Sequence, residues 1–263
     1  MNRGLSRAMI VVGALLTFGL LLAPTVVTIG ASFNPTELTI FPPQGLSLKW
    51  YAGAISQFGP AFILSMELGA LTALVTIPLA IPAGLAIVRH SFYGKNAIQA
   101  LLLSPILVPS LLIGMSLFSA FLTFNLQGTF VGLLLTHVLL TLPYVVRTVL
   151  VSMYGIPEEL EECATVLGAN PRAVMQHVTV PLLSSGIFGG ALFAFLVSFG
   201  EINATVFVAG PTTMTVPIQM FSYLEWNSSP VVAAISTLQI CLTLVGVAIL
   251  EKTVGVGKAL QFG

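Results

Sequence analysis

The sequence predicts an all-α polytopic membrane protein of about six transmembrane helices, interrupted by one polar helical segment that faces the cytoplasm. Three observations predict it. The chain is 56% hydrophobic and 7% charged, against roughly 25% charged residues in a soluble domain. Its 263 residues have room for about six spans of roughly 20–25 residues and their loops. One glutamate-rich island, at about 153–180, stands between two long apolar runs. The whole chain, 1–263, is expected to form a single transmembrane domain.

The first apolar run covers about 8–32 and follows Arg3 and Arg7. Its apolar core exceeds the roughly 7–15 residues of a signal peptide, so a retained helix is expected. A loop follows to about residue 60, broken by Asn34-Pro35 and Pro42-Pro43. The second span covers about 61–88. A tight charged turn, 89–95, leads to a third span at about 97–124. Residues 125–128 form the next turn, and the fourth span covers about 129–151. After the island, the fifth and sixth spans cover about 182–209 and 231–250. Pro78, Pro82, Pro105, Pro109 and Pro143 lie within spans. Each removes a helix donor, and kinks are expected there.

Positive charge orients these spans. With the N-terminus inside, Lys49 is the one outside among nine lysines and arginines. Arg3, Arg7, Arg89, Lys95, Arg147, Arg172, Lys252 and Lys258 fall inside. This arrangement puts both termini and the island in the cytoplasm.

The island has the local chemistry of helix, sharp turn, helix. Pro157 suits a first helical turn. Glu158, Glu159, Glu161 and Glu162 load the N-terminal half with negative charge, which favours the helix dipole. Leu160, Ala164 and Leu167 share a helical stripe. Gly168 can take the left-handed conformation that stops a helix. Asn170-Pro171 reads as the cap and first position of a second helix, and Pro181 opens the next span. An acidic helix binds an anionic leaflet poorly, so a protein partner fits better than a lipid surface.

Other classes of function fit less well. A net charge of zero implies no nucleic-acid partner. His90, His137 and His177 are far apart, and no metal-ligand spacing occurs. Cys163 and Cys241 lie in different segments and are not expected to pair. The chain has no glycine-rich phosphate loop ending in Lys-Ser or Lys-Thr. It therefore carries no ATP site of its own, and no catalytic residues are expected. His137, alone in the fourth span, reads as a buried hydrogen-bonding group. A stand-alone secondary transporter would show symmetry between halves, and no internal repeat is visible.

The chain has no aspartate, and Glu67 and Glu201 are the glutamates within spans. A charge at mid-membrane costs about 2.5–3.5 kcal/mol on insertion scales. Counted from Leu182, Glu201 lies roughly 28 Å along the fifth span, near its outer end. Ser198, Asn203 and Thr205 lie at similar depth. Two readings stay open for these groups. They line a substrate path in an outward vestibule, or they are solvated at the interface or bonded to a neighbouring helix.

One spacing goes further. Glu162-Cys163-Ala164, three residues, Gly168, nine residues, then Val178-Thr179-Val180-Pro181 resembles the coupling motif of ABC-importer permeases. The usual form there is Glu-Ala-Ala, three residues, Gly, nine residues, Ile-x-Leu-Pro. The resemblance implies a type I permease fold whose helix inserts into a groove of an ATPase subunit. Glu161, Glu162, Cys163, Ala164, Leu167, Gly168, Ala169, Pro171 and Pro181 would then form the coupling element. It implies as partners a homologous second permease, two ATPase copies and a periplasmic substrate-binding protein, in a bacterial inner membrane. ATP and Mg would be bound by the ATPase, with no cofactor in this chain.

Further pieces narrow the subgroup. The run Phe41-Pro42-Pro43-Gln44-Gly45-Leu46-Ser47-Leu48-Lys49-Trp50-Tyr51 looks like an outside loop of the smaller permease of spermidine/putrescine-type importers. Phe92-Tyr93-Gly94-Lys95 looks like a cytoplasmic turn of the same permease. So do Ser198-Phe199-Gly200-Glu201, Thr205-Val206-Phe207-Val208-Ala209-Gly210 and Thr215-Val216-Pro217 for the end of its fifth span. That family often carries an acidic pair where Gly200 here precedes a single Glu201. Importers for iron, phosphonates, opines or amino-acid derivatives share most of these motifs. A polyamine-like solute is favoured, with Glu67, Ser198, Glu201 and Asn203 as candidate path residues.

Overall fold

A computed structural model describes residues 3–227 and 229–254; Lys258, read above as cytoplasmic, lies outside them. Every regular element among the described residues is helical. The long helices are α1 (Arg3–Ser32), α2 (Lys49–Arg89), α5 (Phe130–Tyr154) and α12 (Pro230–Val254). Between α2 and α5 lie α3 (Lys95–Leu103), a 3-10 turn (Ser104–Leu107) and α4 (Ser110–Phe124). After α5 come α6 (Glu159–Val166), α7 (Pro171–Val174), a π-helical stretch (Met175–Thr179) and α8 (Val180–Leu182). Then follow α9 (Ser184–Gly200), α10 (Thr205–Val208) and α11 (Val216–Trp226).

Among the described residues, four helices are long and apolar enough to cross a membrane. Two bent pairs, Lys95–Leu107 with Ser110–Phe124 and Pro171–Leu182 with Ser184–Gly200, bring the number to six when each pair is one span. The first pair bends by 102°, and proline chemistry explains it. Pro105 opens the 3-10 turn, Val108 is extended, and Pro109 (ψ 128°) cannot continue a helix. Pro78 and Pro82 in α2 and Pro143 in α5 leave their helices unbroken, unlike the paired prolines of the third span.

The chain divides into two compact units. The smaller contains, of the described residues, those between 3 and 59 and between 220 and 244. Its loop after α1 is tied down by side chains. The Trp50 indole N–H donates to the Asn34 carbonyl at 2.7 Å, and the Ser32 and Tyr51 hydroxyls meet at 2.7 Å. Ser47 Oγ accepts from the Lys49 backbone N–H at 3.3 Å. These anchors start α2 at Lys49, earlier than the span expected from hydropathy, and give it 41 residues.

The larger unit contains, of the described residues, 60–219 and 245–254. Its core joins Ala73, Ala80 and Ile87 of α2 to Val145, Val146, Val149, Leu150 and Met153 of α5, with Leu183 and Ala194. α9 lies close against α5: a β-carbon placed on Gly190 would come 2.6 Å from Thr148 Oγ1. Small residues permit such approaches where lipid supplies no hydrophobic drive between helices.

The fifth span departs from expectation. α9 stops at Gly200 instead of continuing to about 209, because Glu201 is extended (φ −72°, ψ 123°). The Glu201 carboxylate accepts from the Ala204 backbone N–H at 2.9 Å, so the acid caps the break that follows it. α11 fills a stretch left unassigned by hydropathy; at 11 residues it is too short to span.

Candidate functional site

The polar island is built from α5 onward. α5 ends at Tyr154, Ile156 is buried, and Glu158 is the N-cap of α6. Pro157 therefore precedes the cap instead of occupying the first turn. Glu159, Glu161 and Glu162 fill the first turn of α6, where the positive end of the helix dipole stabilises them.

The turn expected at Gly168 is present. Gly168 has φ +94°. Its N–H donates to the Thr165 carbonyl at 2.9 Å, and the Ala169 N–H donates to the Ala164 carbonyl at 3.0 Å. This pair of bonds is the Schellman arrangement, which satisfies carbonyls left open at a helix end. A β-carbon on Gly168 would meet nothing within 4 Å, so the requirement for glycine lies in the backbone alone. Asn170 then caps α7: its Oδ1 accepts from the Ala173 N–H at 2.9 Å, with Pro171 in the first turn. Pro181, exposed, lies in α8 just before the 68° bend into α9.

The two faces of α6 differ. On the inner face, the Arg89 Nε donates to Glu161 Oε2 at 3.0 Å, and Nη2 donates to the Ile156 carbonyl at 3.0 Å. The buried Thr179 hydroxyl donates to Glu161 Oε1 at 2.9 Å. The Arg89 and Glu161 side chains are only 10% and 16% exposed. On the outer face Glu162 and Cys163 are exposed, while Ala164 and Ala169 are half-buried. Val166 and Leu167 are each 87% exposed, and Leu160 is 45% exposed. The apolar stripe read from the sequence is thus largely uncovered. A recess of about 640 Å³ is lined by Arg89, Glu161, Glu162, Val166, Pro171 and Val174 among others.

Arg89 and Thr179 were visible in the sequence only as an orientation charge and as the variable position of a motif. Seventy-two residues separate Arg89 from Glu161, and no periodicity links them.

The membrane acids are not brought to one place. Glu67 is exposed and lines a cavity of about 380 Å³ with Pro60, Ile63, Pro211 and Met214. Glu201, half-buried, lines another of about 390 Å³ with Pro105, Leu107, Tyr144 and Val197. Asn203 is exposed. Ser198 is buried in a polar network, with Oγ 2.8 Å from His137 Nδ1. His137 Nε2 lies 3.1 Å from Thr205 Oγ1, whose proton goes to the Glu201 carbonyl at 3.1 Å. Ser198 Oγ also lies 3.5 Å from Thr72 Oγ1, so the network runs from α2 through α9 to α5. His137 is fully buried, which bears out its reading as a hydrogen-bonding group.

Helical spans joined by a capped polar segment define a class. The family model of the binding-protein-dependent transport system inner membrane component matches residues 76–252, and this chain belongs to that family. It is a permease subunit of an ABC importer. It is 27% identical over 230 residues to the spermidine/putrescine transport system permease protein PotC of Escherichia coli strain K12, covering 87% of each chain. It is 30% identical over 182 residues to the molybdenum transport system permease protein ModB of Haemophilus influenzae, covering 63% of this chain and 79% of that one. Among solved structures, its fold matches a bacterial ABC transporter involved in the import of the acidic polysaccharide alginate. The TM-score is 0.71 at 16% identity, over 96% of this chain and 98% of that one.

Proposed function

We propose that this chain carries a small polar or charged solute, polyamine-like by preference, from periplasm to cytoplasm by alternating access. Its termini and α6 face the cytoplasm. It works with a homologous second permease, two ATPase copies and a periplasmic binding protein. ATP and Mg are held by the ATPase. The observation that carries this reading is the outer face of α6. Val166 and Leu167 stand almost fully exposed beside Glu162, at a turn fixed by Gly168. Bare leucine and valine at the end of a rigid, capped helix suit a groove in a partner protein. Glu162, Cys163, Ala164, Leu167, Gly168, Ala169, Pro171 and Pro181 are the residues we assign to that contact. ATP-driven closure of the ATPase dimer moves the helix, and the spans exchange between inward-open and outward-open states.

The test is ATP hydrolysis in reconstituted complexes, with and without loaded binding protein. Glu162→Lys reverses charge on the exposed face and touches no span, so the protein inserts but hydrolysis no longer rises with loaded binding protein. Normal stimulation in Glu162→Lys would remove the docking reading. Labelling of a cysteine at position 170 by an impermeant reagent in intact cells would overturn the orientation.

Glu67 and Glu201 supply the negative charge a polyamine path needs. Glu201→Gln keeps an oxygen for the Ala204 N–H, so assembly is unaffected and a change in transport reports charge contact with the solute. One observation favours an anionic solute instead. Arg147, exposed on α5, lines a cavity of about 500 Å³ with Tyr144, Thr148, Ser152 and Ser185, and no carboxylate lines it. Loss of transport in Arg147→Gln with normal transport in Glu201→Gln selects that second reading.

A further inference from the structure

We propose that Arg89 is a positioning residue: it clamps the coupling helix α6 to the end of membrane helix α2, so that a push on α6 moves the spans. The proposal rests on α6 being the ATPase-contacting element.

The geometry is that of a built joint. One guanidinium serves three acceptors. Nε and Nη2 meet the two Glu161 oxygens at 3.0 and 3.4 Å, and Nη2 also reaches the Ile156 carbonyl at 3.0 Å. Ile156 belongs to the connection between α5 and α6. The same carboxylate accepts from Thr179 at 2.9 Å, at the end of the π-helical stretch that leads through α8 to α9. Three parts of the chain therefore converge on one carboxylate: the end of α2, the start of α6 and the approach to α9. Arg89 is also the last residue of α2, where a cation complements the helix dipole.

The physics separates this pair from an ordinary surface ion pair. An exposed pair contributes little because water and ions screen it. Here both side chains are largely withdrawn from water, and the fork-shaped contact fixes direction as well as distance. A carboxylate left there without its arginine would be a poorly solvated charge. α6 otherwise packs against α7 and the π-helical stretch that follow it, and its outer face is bare. Without the clamp, force applied to that face would move α6 with those short segments and leave α2 behind. Glu161 thus transmits force inward, while its neighbour Glu162 faces the partner.

The experiment uses the full complex of this chain, its second permease, the ATPase and the loaded binding protein in liposomes. The quantity read is solute transported per ATP hydrolysed. Arg89→Gln and Glu161→Gln each lower that ratio by about tenfold, the scale of an ordinary coupling energy. The double variant is no worse than either single one, because both remove the same joint. Arg89→Lys, which keeps the charge but loses the fork, recovers part of the ratio. Wild-type ratios in both single variants, or losses that add in the double variant, overturn the proposal. Should Arg89→Gln fail to assemble, Thr179→Val removes one bond to the carboxylate and leaves both charges. It must then show a loss in the same direction, and a wild-type ratio there overturns the proposal. Glu162→Lys is run in parallel. Normal stimulation in that variant defeats the docking reading itself. Impaired stimulation there, with wild-type ratios in the Arg89 and Glu161 variants, defeats the clamp alone.

Discussion

Residues 156–181 and residues 201–216 both interrupt the long helices, the first with four carboxylates and the second with one. The two stretches differ in how far their apolar residues are exposed: Val206 and Met214 of the later one are 48% and 41% exposed, Val166 and Leu167 of the earlier one each 87%. In the later stretch Ala204, Thr205, Val208, Thr213 and Thr215 are buried. The Gln127 side chain donates to the Phe207 carbonyl at 2.7 Å, and the Gly128 N–H donates to the Val208 carbonyl at 3.0 Å. Backbone carbonyls of the break are thus met from the turn before α5, while Thr215 Oγ1 is buried without a partner. In the earlier stretch Glu161 is bound inward, yet Leu160, Val166 and Leu167 remain bare. An interruption packed by its own chain is a structural joint. An interruption that is rigidly capped yet leaves leucine and valine uncovered is the feature on which the proposed docking rests.

That contrast can be broken at several points. The largest effect is expected at His137. His137→Ala strips partners from two buried hydroxyls and opens a cavity, at about 3 kcal/mol. A thermal melt of the purified complex reads it, and an unchanged melt would show that the later stretch does not rest on this network. Gly114→Val comes next. A β-carbon there would lie 2.5 Å from Ala204 Cα, and forcing the backbones apart costs about 2 kcal/mol. The same melt reports it, and no shift would mean that α4 is not pressed against the break. Leu167→Asp, in the other region, leaves the melting of the isolated permease within about 0.5 kcal/mol of wild type. It weakens ATPase association about tenfold, as loss of an interface anchor does. Titrating ATPase onto stripped membranes measures this, and equal affinity would deprive the bare face of its partner. The smallest effect belongs to the turn. Gly168→Ala places a β-carbon at positive φ for about 1 kcal/mol. Since open space surrounds it, the cost appears as a misdirected α7 and weaker stimulation of hydrolysis, with unchanged membrane insertion.

The two regions also differed in how much of them the sequence displayed. The helix-turn-helix geometry of the island is legible because its signals are local: glutamates at a helix start, a glycine at its end, Asn-Pro at the next cap. The number of spans was legible from hydropathy, and the bend of the third span from Pro105 and Pro109. The end of the fifth span was misplaced because 201–209 reads as an apolar continuation. Only the capping of Ala204 by Glu201 and the packing of Ala204 against Gly114 reveal a break. The Arg89 joint was hidden for a similar reason: its partners are distant in the chain, and a lone arginine after an apolar run looks like any cytoplasmic anchor. Glu67 and Glu201 share a composition signal but line different cavities, a distinction set by tertiary packing alone.

The central claim is that the outer face of α6 is covered by the ATPase, and native Cys163 reports it directly. Cys163 is exposed on α6, between Glu162 and Ala164. In a Cys241→Ser background, inverted membrane vesicles stripped of ATPase are treated with an impermeant maleimide, then treated again after ATPase is restored. The account predicts rapid labelling of Cys163 in stripped vesicles and protection once ATPase is bound. Equal labelling in both would contradict it.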